Sequence, residues 1–245
     1  MIGAVEGEVG PEPEFERGKV AAWCIVISSL ITWFIALLAG LIFLPSLIVL
    51  LGSSDDVAYE MAGILVYAVL LAITLGYLSI DGDRRSIVEM LKIPSIKAGV
   101  LFLLALPIVI TIVDYLAVLI YYEVYEALFG YPEIIDMEYP VPESEYDLII
   151  SLIIMSTVIA APIVEEIMFR GYVLDAISEI HGDTVAVLGS SVMFGILHID
   201  PYVAGMAALG GIVYGWIRSE TGSLWPSIIS HMIWNGIFFY VTYFL

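Results

Sequence analysis

Long apolar runs alternate with short polar interruptions along most of the chain. A membrane-crossing helix needs ~20 consecutive apolar residues, and seven runs reach or approach that length: about 20–44 extended past Pro45 to 51, 57–80, 98–122, 147–180, 184–199, 202–218 and 224–245. The pattern predicts an all-α fold, a polytopic transmembrane helical bundle of about seven hydrophobic elements. The fourth run is the longest, and its 34 residues would make a helix of roughly 50 Å. It must tilt strongly, bend near Pro162 or emerge from the membrane. His181-Gly182-Asp183 reads as a turn, with Gly182 at the C-cap and Asp183 capping the next helix. That helix is expected to stop at Asp200-Pro201. In the sixth run Ala207, Gly211 and Gly215 recur every fourth residue, a small-residue stripe that lets helices approach closely. It is read as packing within one subunit.

The polar interruptions divide the chain. Residues 1–16 hold five glutamates and two prolines with no basic residue, and are expected to be an acidic disordered tail. They show no basic stretch of the kind that opens a cleavable signal. Residues 17–146 form an N-terminal set of transmembrane helices with two unlike loops. Loop 81–97 contains Arg84, Arg85, Lys92 and Lys97, half of the eight basic residues. The positive-inside rule assigns this loop, and the N-terminus with Arg17 and Lys19, to the cytoplasm. Loop 123–147 carries eight acids, three prolines and no Lys or Arg. It reads as extracytoplasmic, with tyrosines suited to the interface. Residues 147–245 form the third part. The same counting turns the His198 end of its helix toward the outer face. The expected location is a multi-pass protein of the plasma membrane.

Composition agrees with the pattern. The chain is 61% hydrophobic and 14% charged, against about 45–50% and about 25% in soluble domains. The net charge of −19 gathers in the solvent segments and argues against nucleic acid, which selects basic surfaces. The single cysteine, Cys24, excludes an internal disulfide and reads as a small packing residue. Asn235 is the only asparagine, and glutamine is absent. Such depletion accompanies hot environments, and it makes the one amide retained inside an apolar run conspicuous.

Three polar islands interrupt three apolar helices. The first is Glu165-Glu166-x-x-x-Arg170. A central Asp, Lys or Arg costs ~2.5–3.5 kcal/mol to insert in a bilayer, so such residues point to function by default. Glu166 and Arg170 are i,i+4 neighbours able to pair, whereas Glu165 projects about 100° away and is free to face something else. The second is Phe194-x-x-x-His198. Glu165 lies 17 residues before Gly182 and His198 lies 16 after it, so two regular helices would bring them to nearly equal depth. The third is His231-x-x-x-Asn235, on one helical face; its depth match to His198 is looser by a turn or two. Each island alone is explained by ion-pair or hydrogen-bond glue between helices. Together they point to one shared polar cavity.

These three motifs, in this order and placed inside the membrane, resemble the CPBP family of type II CAAX prenyl endopeptidases and bacteriocin-processing or immunity proteins. The resemblance covers residues from about Asp147 to the C-terminus and makes 147–245 a catalytic-type membrane core. It implies an intramembrane endopeptidase in which glutamate activates a water to hydrolyse a peptide bond. By motif position, Glu165 would be the general base and His198 would hold or polarise the water. His231 and Asn235 would stabilise the oxyanion. Glu166 and Arg170 would orient the helix and tune Glu165, and Phe194 would wall the cavity. The chemistry is consistent with this: burial disfavours the charged form of a carboxylate, and a base works best with a pKa near the operating pH. Oxyanion donors in a dry site are worth about 3–4 kcal/mol each.

No serine or cysteine stands at a comparable position, and Ser190, Ser191 and Ser230 read as packing hydroxyls. No cofactor is expected. Zinc is the runner-up, because Glu165, His198 and His231 are legitimate ligands, although the chain has no H-E-x-x-H. The implied partners are the lipid bilayer and a membrane-associated peptide or prenylated protein substrate. Two other readings stay open: a non-catalytic membrane immunity or scaffold protein binding a partner helix, and a proton-coupled carrier using Asp114 with the Glu and His set.

Overall fold

The computed structural model describes residues 13–80, 87–93, 99, 101–132 and 143–244. Most of the expected acidic tail (1–12) and parts of the loops 81–97 and 123–147 lie outside the described residues. Among the described residues there are eight helices and no strand: α1 (Pro13–Leu50), α2 (Asp55–Ile80), α3 (Ile87–Met90), α4 (Leu101–Ala105 continuing as Leu106–Phe129), α5 (Tyr146–His181), α6 (Asp183–Ile196), α7 (Pro201–Thr221) and α8 (Trp225–Phe244). The seven apolar runs are seven of these helices, and the short α3 is the eighth. Four of them are long and apolar enough to cross a membrane. The protein is an integral, multi-pass helical bundle.

The apolar residues are distributed as a bilayer requires. On α1, Ile27, Ile31, Ile35, Leu38 and Ile42 all face outward, while Val26, Ser29 and Trp33 are buried. An exposed row of this kind would be unfavourable in water, yet lipid tails are as apolar as the side chains. The interior is organised by α5, where Met168, Phe169, Arg170, Tyr172 and Val173 are fully buried. Around it α1 pairs with α2, α6 with α5 and α7, and α8 with α4 and α5.

α5 accommodates its length without ending at Pro162. It contains two π-helical stretches, Ile154–Ala160 and Ile167–Val173. The Ala161 N–H bonds to the Ser156 carbonyl, five residues back, and Leu174 bonds to Phe169 in the same way. Proline has no N–H to donate, so the turn before Pro162 widens and the helix resumes in a new register. Such π segments are frequent at functional sites.

Three boundaries differ from the sequence expectation. Asp183 is the first residue of α6, not its cap: Gly182, with φ 80°, occupies that position, and the Asp183 carboxylate accepts from the Ser178 hydroxyl instead. α6 ends at Ile196 rather than near 199, because Asp200 must be extended to cap α7, its Oδ1 accepting from the Val203 N–H at 2.9 Å ahead of Pro201. The reversal forces Ile199 to φ 61°, a left-handed conformation that a β-branched residue adopts only under strain. α4 continues to Phe129 instead of stopping at 122, and its tyrosines pack on the start of α7, with the Tyr121 and Tyr125 rings 5.5 and 5.0 Å from that of Tyr202. Cys24 is exposed on α1, not packed inside.

The small-residue stripe of α7 packs inside the chain. A Cβ on Gly211 would sit 2.8 Å from the Arg170 guanidinium and 2.9 Å from Ser191, and one on Gly215 would sit 3.3 Å from Val187. Glycine at 211 thus lets α7 close over the buried arginine. The Ser190 and Ser191 hydroxyls bond to the Val187 carbonyl of their own helix, and Ser230 bonds to those of Pro226 and Pro107. A second buried ion pair, Arg218 to Asp175 at 3.2 Å, ties α7 to α5.

Candidate active site

The two adjacent glutamates of α5 have different surroundings. Glu166 is fully buried and is held from two directions: Arg170 Nη1 lies 3.0 Å from its Oε1 one helical turn on, and His231 Nδ1 lies 3.1 Å from the same oxygen. Arg170, also fully buried, has its guanidinium carbon 4.4 Å from the Phe194 ring centre and 5.7 Å from that of Tyr214. A desolvated cation over aromatic faces gains about 2 kcal/mol, which supplements the ion pair. Glu166, Arg170, Phe194 and His231 therefore fasten α5, α6 and α8 to one another.

Glu165 has no arginine. Its Oε1 accepts a hydrogen bond from the Tyr67 hydroxyl of α2 at 3.0 Å, and its Oε2 stands 3.8 Å from His231 Nε2. That separation leaves Oε2 without a close donor among the described residues. Glu165 lines a cavity of about 140 Å³ with Trp33, Tyr67, Phe169, Phe194 and His198. The depth match across the Gly182 turn thus brings Glu165 and His198 to one space, although His198 lies two residues beyond the end of α6.

His198 is pinned by its own chain. Its Nδ1 is 3.0 Å from the Phe194 carbonyl, and a carbonyl only accepts, so Nδ1 carries the hydrogen. In the neutral ring Nε2 is then the acceptor. The Phe194 ring packs edge-on at 4.8 Å. Phe194 and His198 together line a second cavity of about 230 Å³, shared with Asp114, Tyr214, His231 and Asn235. They line both cavities, Glu165 bordering the first and His231 and Asn235 the second, with only 3.8 Å between Glu165 Oε2 and His231 Nε2.

Asn235 donates through Nδ2 to the Thr157 carbonyl at 2.8 Å. In the π register Thr157 is five residues before Pro162, the one residue unable to donate to it. The lone asparagine therefore fills a hydrogen bond that the proline leaves open, and retains a second N–H.

Two residues on the N-terminal helices complete the setting without belonging to any motif. Tyr67 was invisible as one tyrosine among 15. Asp114, buried on α4, accepts from the Tyr214 hydroxyl at 2.8 Å, and Tyr214 stacks on His231 at 5.5 Å. Its signal was an isolated carboxylate in an apolar run, without any indication of which helix it faced. Among the described residues no three His, Cys, Asp or Glu side chains are grouped as ligands for one metal ion.

Residues 147–237 match the family model of type II CAAX prenyl endopeptidases, Rce1-like. This segment is similar to that family. A relative in Bacillus subtilis (strain 168), named "Putative membrane peptidase YdiL", is 33% identical over 86 residues, covering 35% of this chain and 35% of that protein. The match therefore spans about a third of the relative's length. No solved structure matches the chain. The matched segment contains Glu165, Glu166, Arg170, Phe194, His198, His231 and Asn235. Trp33, Tyr67 and Asp114 reach the two cavities from outside it.

Proposed function

We propose that the protein is an intramembrane endopeptidase of CAAX type, in which Glu165 activates water to hydrolyse a peptide bond of a membrane-associated substrate. The observation that carries the reading is the division of labour between the two glutamates. Glu166 is bound to Arg170 and His231, while Glu165 keeps one oxygen free beside a cavity that it shares with His198. A base must be anchored yet have an oxygen available for the proton it abstracts. Tyr67 anchors Oε1, and Oε2 is the available oxygen.

In this reading the water donates one hydrogen bond to Glu165 Oε2 and one to His198 Nε2, which is unprotonated in the neutral ring. Glu165 takes the proton as the water oxygen bonds to the substrate carbonyl carbon. The tetrahedral oxyanion is stabilised by the second N–H of Asn235 and by the imidazolium form of His231, whose Nε2 then also carries a hydrogen. The C–N bond then breaks as the Glu165 proton passes to the leaving amine, regenerating the carboxylate. No metal enters these steps. A prenylated C-terminal peptide is the proposed substrate class, and the plasma membrane with a cytoplasmic N-terminus is the proposed location.

The test is cleavage of a quenched farnesylated peptide by the purified, detergent-solubilised protein, with the same peptide lacking the prenyl group as control. Cleavage of both would uphold the peptidase and discard the prenyl requirement. Cleavage of neither, nor of any membrane-inserted peptide, would favour a non-catalytic immunity or scaffold role.

A further inference from the structure

The second cavity is bordered by a carboxyl group that the proposed hydrolysis does not use. Asp114 is 2% exposed. Its Oδ2 accepts from Tyr214, but among the described residues nothing hydrogen-bonds its Oδ1. A buried acceptor left unsatisfied is unfavourable, and more so when charged. A glycine packs against it. A Cβ on Gly210 of α7 would stand 3.1 and 3.2 Å from the two carboxylate oxygens. Gly210 and Asp114 both line the second cavity, so the carboxyl group lies at its wall. The remaining wall is mainly apolar, with Val203, Met206, Trp234 and Phe238.

The charge count points in the same direction. Around the two cavities and the pairs joining them, Asp114, Glu165 and Glu166 face one guanidinium, that of Arg170, and two imidazoles. Unless both imidazoles are protonated, the surplus is negative. Arg170 is already set on Glu166 at 3.0 Å. An apolar cavity ending in a single free carboxylate oxygen suits an apolar stem tipped with a compact cation. A guanidinium fork matches two oxygens, whereas an ammonium is a point charge with rotatable donors.

We infer that the second cavity is a recognition pocket for a lysine side chain, whose ammonium is received by Asp114 Oδ1. This rests on the proposed peptidase reading only for what delivers the lysine: the cavity also borders His198, His231 and Asn235, so the pocket would select a residue near the scissile bond.

The test has a binding arm that does not depend on turnover. Binding of n-hexylammonium and of 1-hexanol to the full chain in detergent is measured by calorimetry. The wild type should bind the amine at least about tenfold more tightly, a difference of about 1.4 kcal/mol. Asp114→Asn should abolish that preference, and so should Gly210→Ala, which keeps the carboxylate but packs a methyl group against its oxygens. Equal binding of amine and alcohol by the wild type, or an undiminished preference in both variants, overturns the inference. Peptides carrying lysine or norleucine at each position around the scissile bond form the second arm. A lysine preference at one position, lost in Asp114→Asn, supports the pocket. Cleavage indifferent to lysine everywhere removes its role in specificity while leaving the peptidase standing. Amine binding without cleavage of any peptide supports the pocket and sinks the peptidase.

Discussion

Replacing Arg170 by methionine removes the guanidinium that pairs with Glu166 and leaves a carboxylate that is fully buried. Breaking a buried pair by deleting one partner costs about 3–5 kcal/mol, most of it the penalty of the uncompensated charge. The cation stacked on Phe194 at 4.4 Å is lost as well, whereas His231 Nδ1 at 3.1 Å remains as a donor to Glu166. The two corrections oppose each other, so a loss of about 3–4 kcal/mol is expected. Glu166→Gln keeps an oxygen for His231 and removes the charge. In that background Arg170→Met should therefore cost far less, because no bare carboxylate is left, giving a coupling of about 2 kcal/mol or more between the two sites. Reversible unfolding in mixed micelles, with the four proteins of the cycle compared at equal detergent composition, measures it. A loss of under about 1 kcal/mol for Arg170→Met, or simple additivity of the two substitutions, would refute the reasoning.

Other consequences are as direct. Asn235→Ala leaves the Thr157 carbonyl without its donor and should lower stability by about 1–3 kcal/mol. The loss should shrink in a Pro162→Ala background, where residue 162 regains an N–H; an equal loss in both backgrounds, measured by the same unfolding titration, would show that proline and asparagine are not linked. Incubation with 1,10-phenanthroline is expected to leave peptide cleavage unchanged. Loss of activity restored by zinc would replace the metal-free scheme with a zinc centre on the Glu and His set.

The spans and the meeting of Glu165 with His198 were legible because each depends on one repeated physical signal. Apolar run length sets the helices, and the helical rise counted from Gly182 sets relative depth. The Glu166–Arg170 pair followed from i,i+4 spacing alone. What escaped the sequence depends on neighbours distant along the chain. The π register of α5 leaves no periodic trace, since almost every residue around Pro162 is apolar. The end of α6 is set by Asp200 capping the following helix, which pulled His198 out of the helix and strained Ile199. Asp183 looked like a cap, yet a glycine with positive φ took that position and freed its carboxylate for Ser178. Tyr67 and Tyr214 reach the buried acids across helix interfaces, and tyrosine is too common here to draw attention. Asp114 stood out as a lone acid, but the glycine packed against it lies on another helix.

The central claim is that Glu165, and not its neighbour, is the base. Turnover of a cleaved peptide by Glu165→Gln measures this most directly, with thermal unfolding and elution volume confirming that the variant is folded. The side chain keeps its shape and its Tyr67 contact but cannot take a proton from water, so the rate should fall by at least about 10²–10⁴-fold. A folded Glu165→Gln protein that cleaves at the wild-type rate would contradict the account.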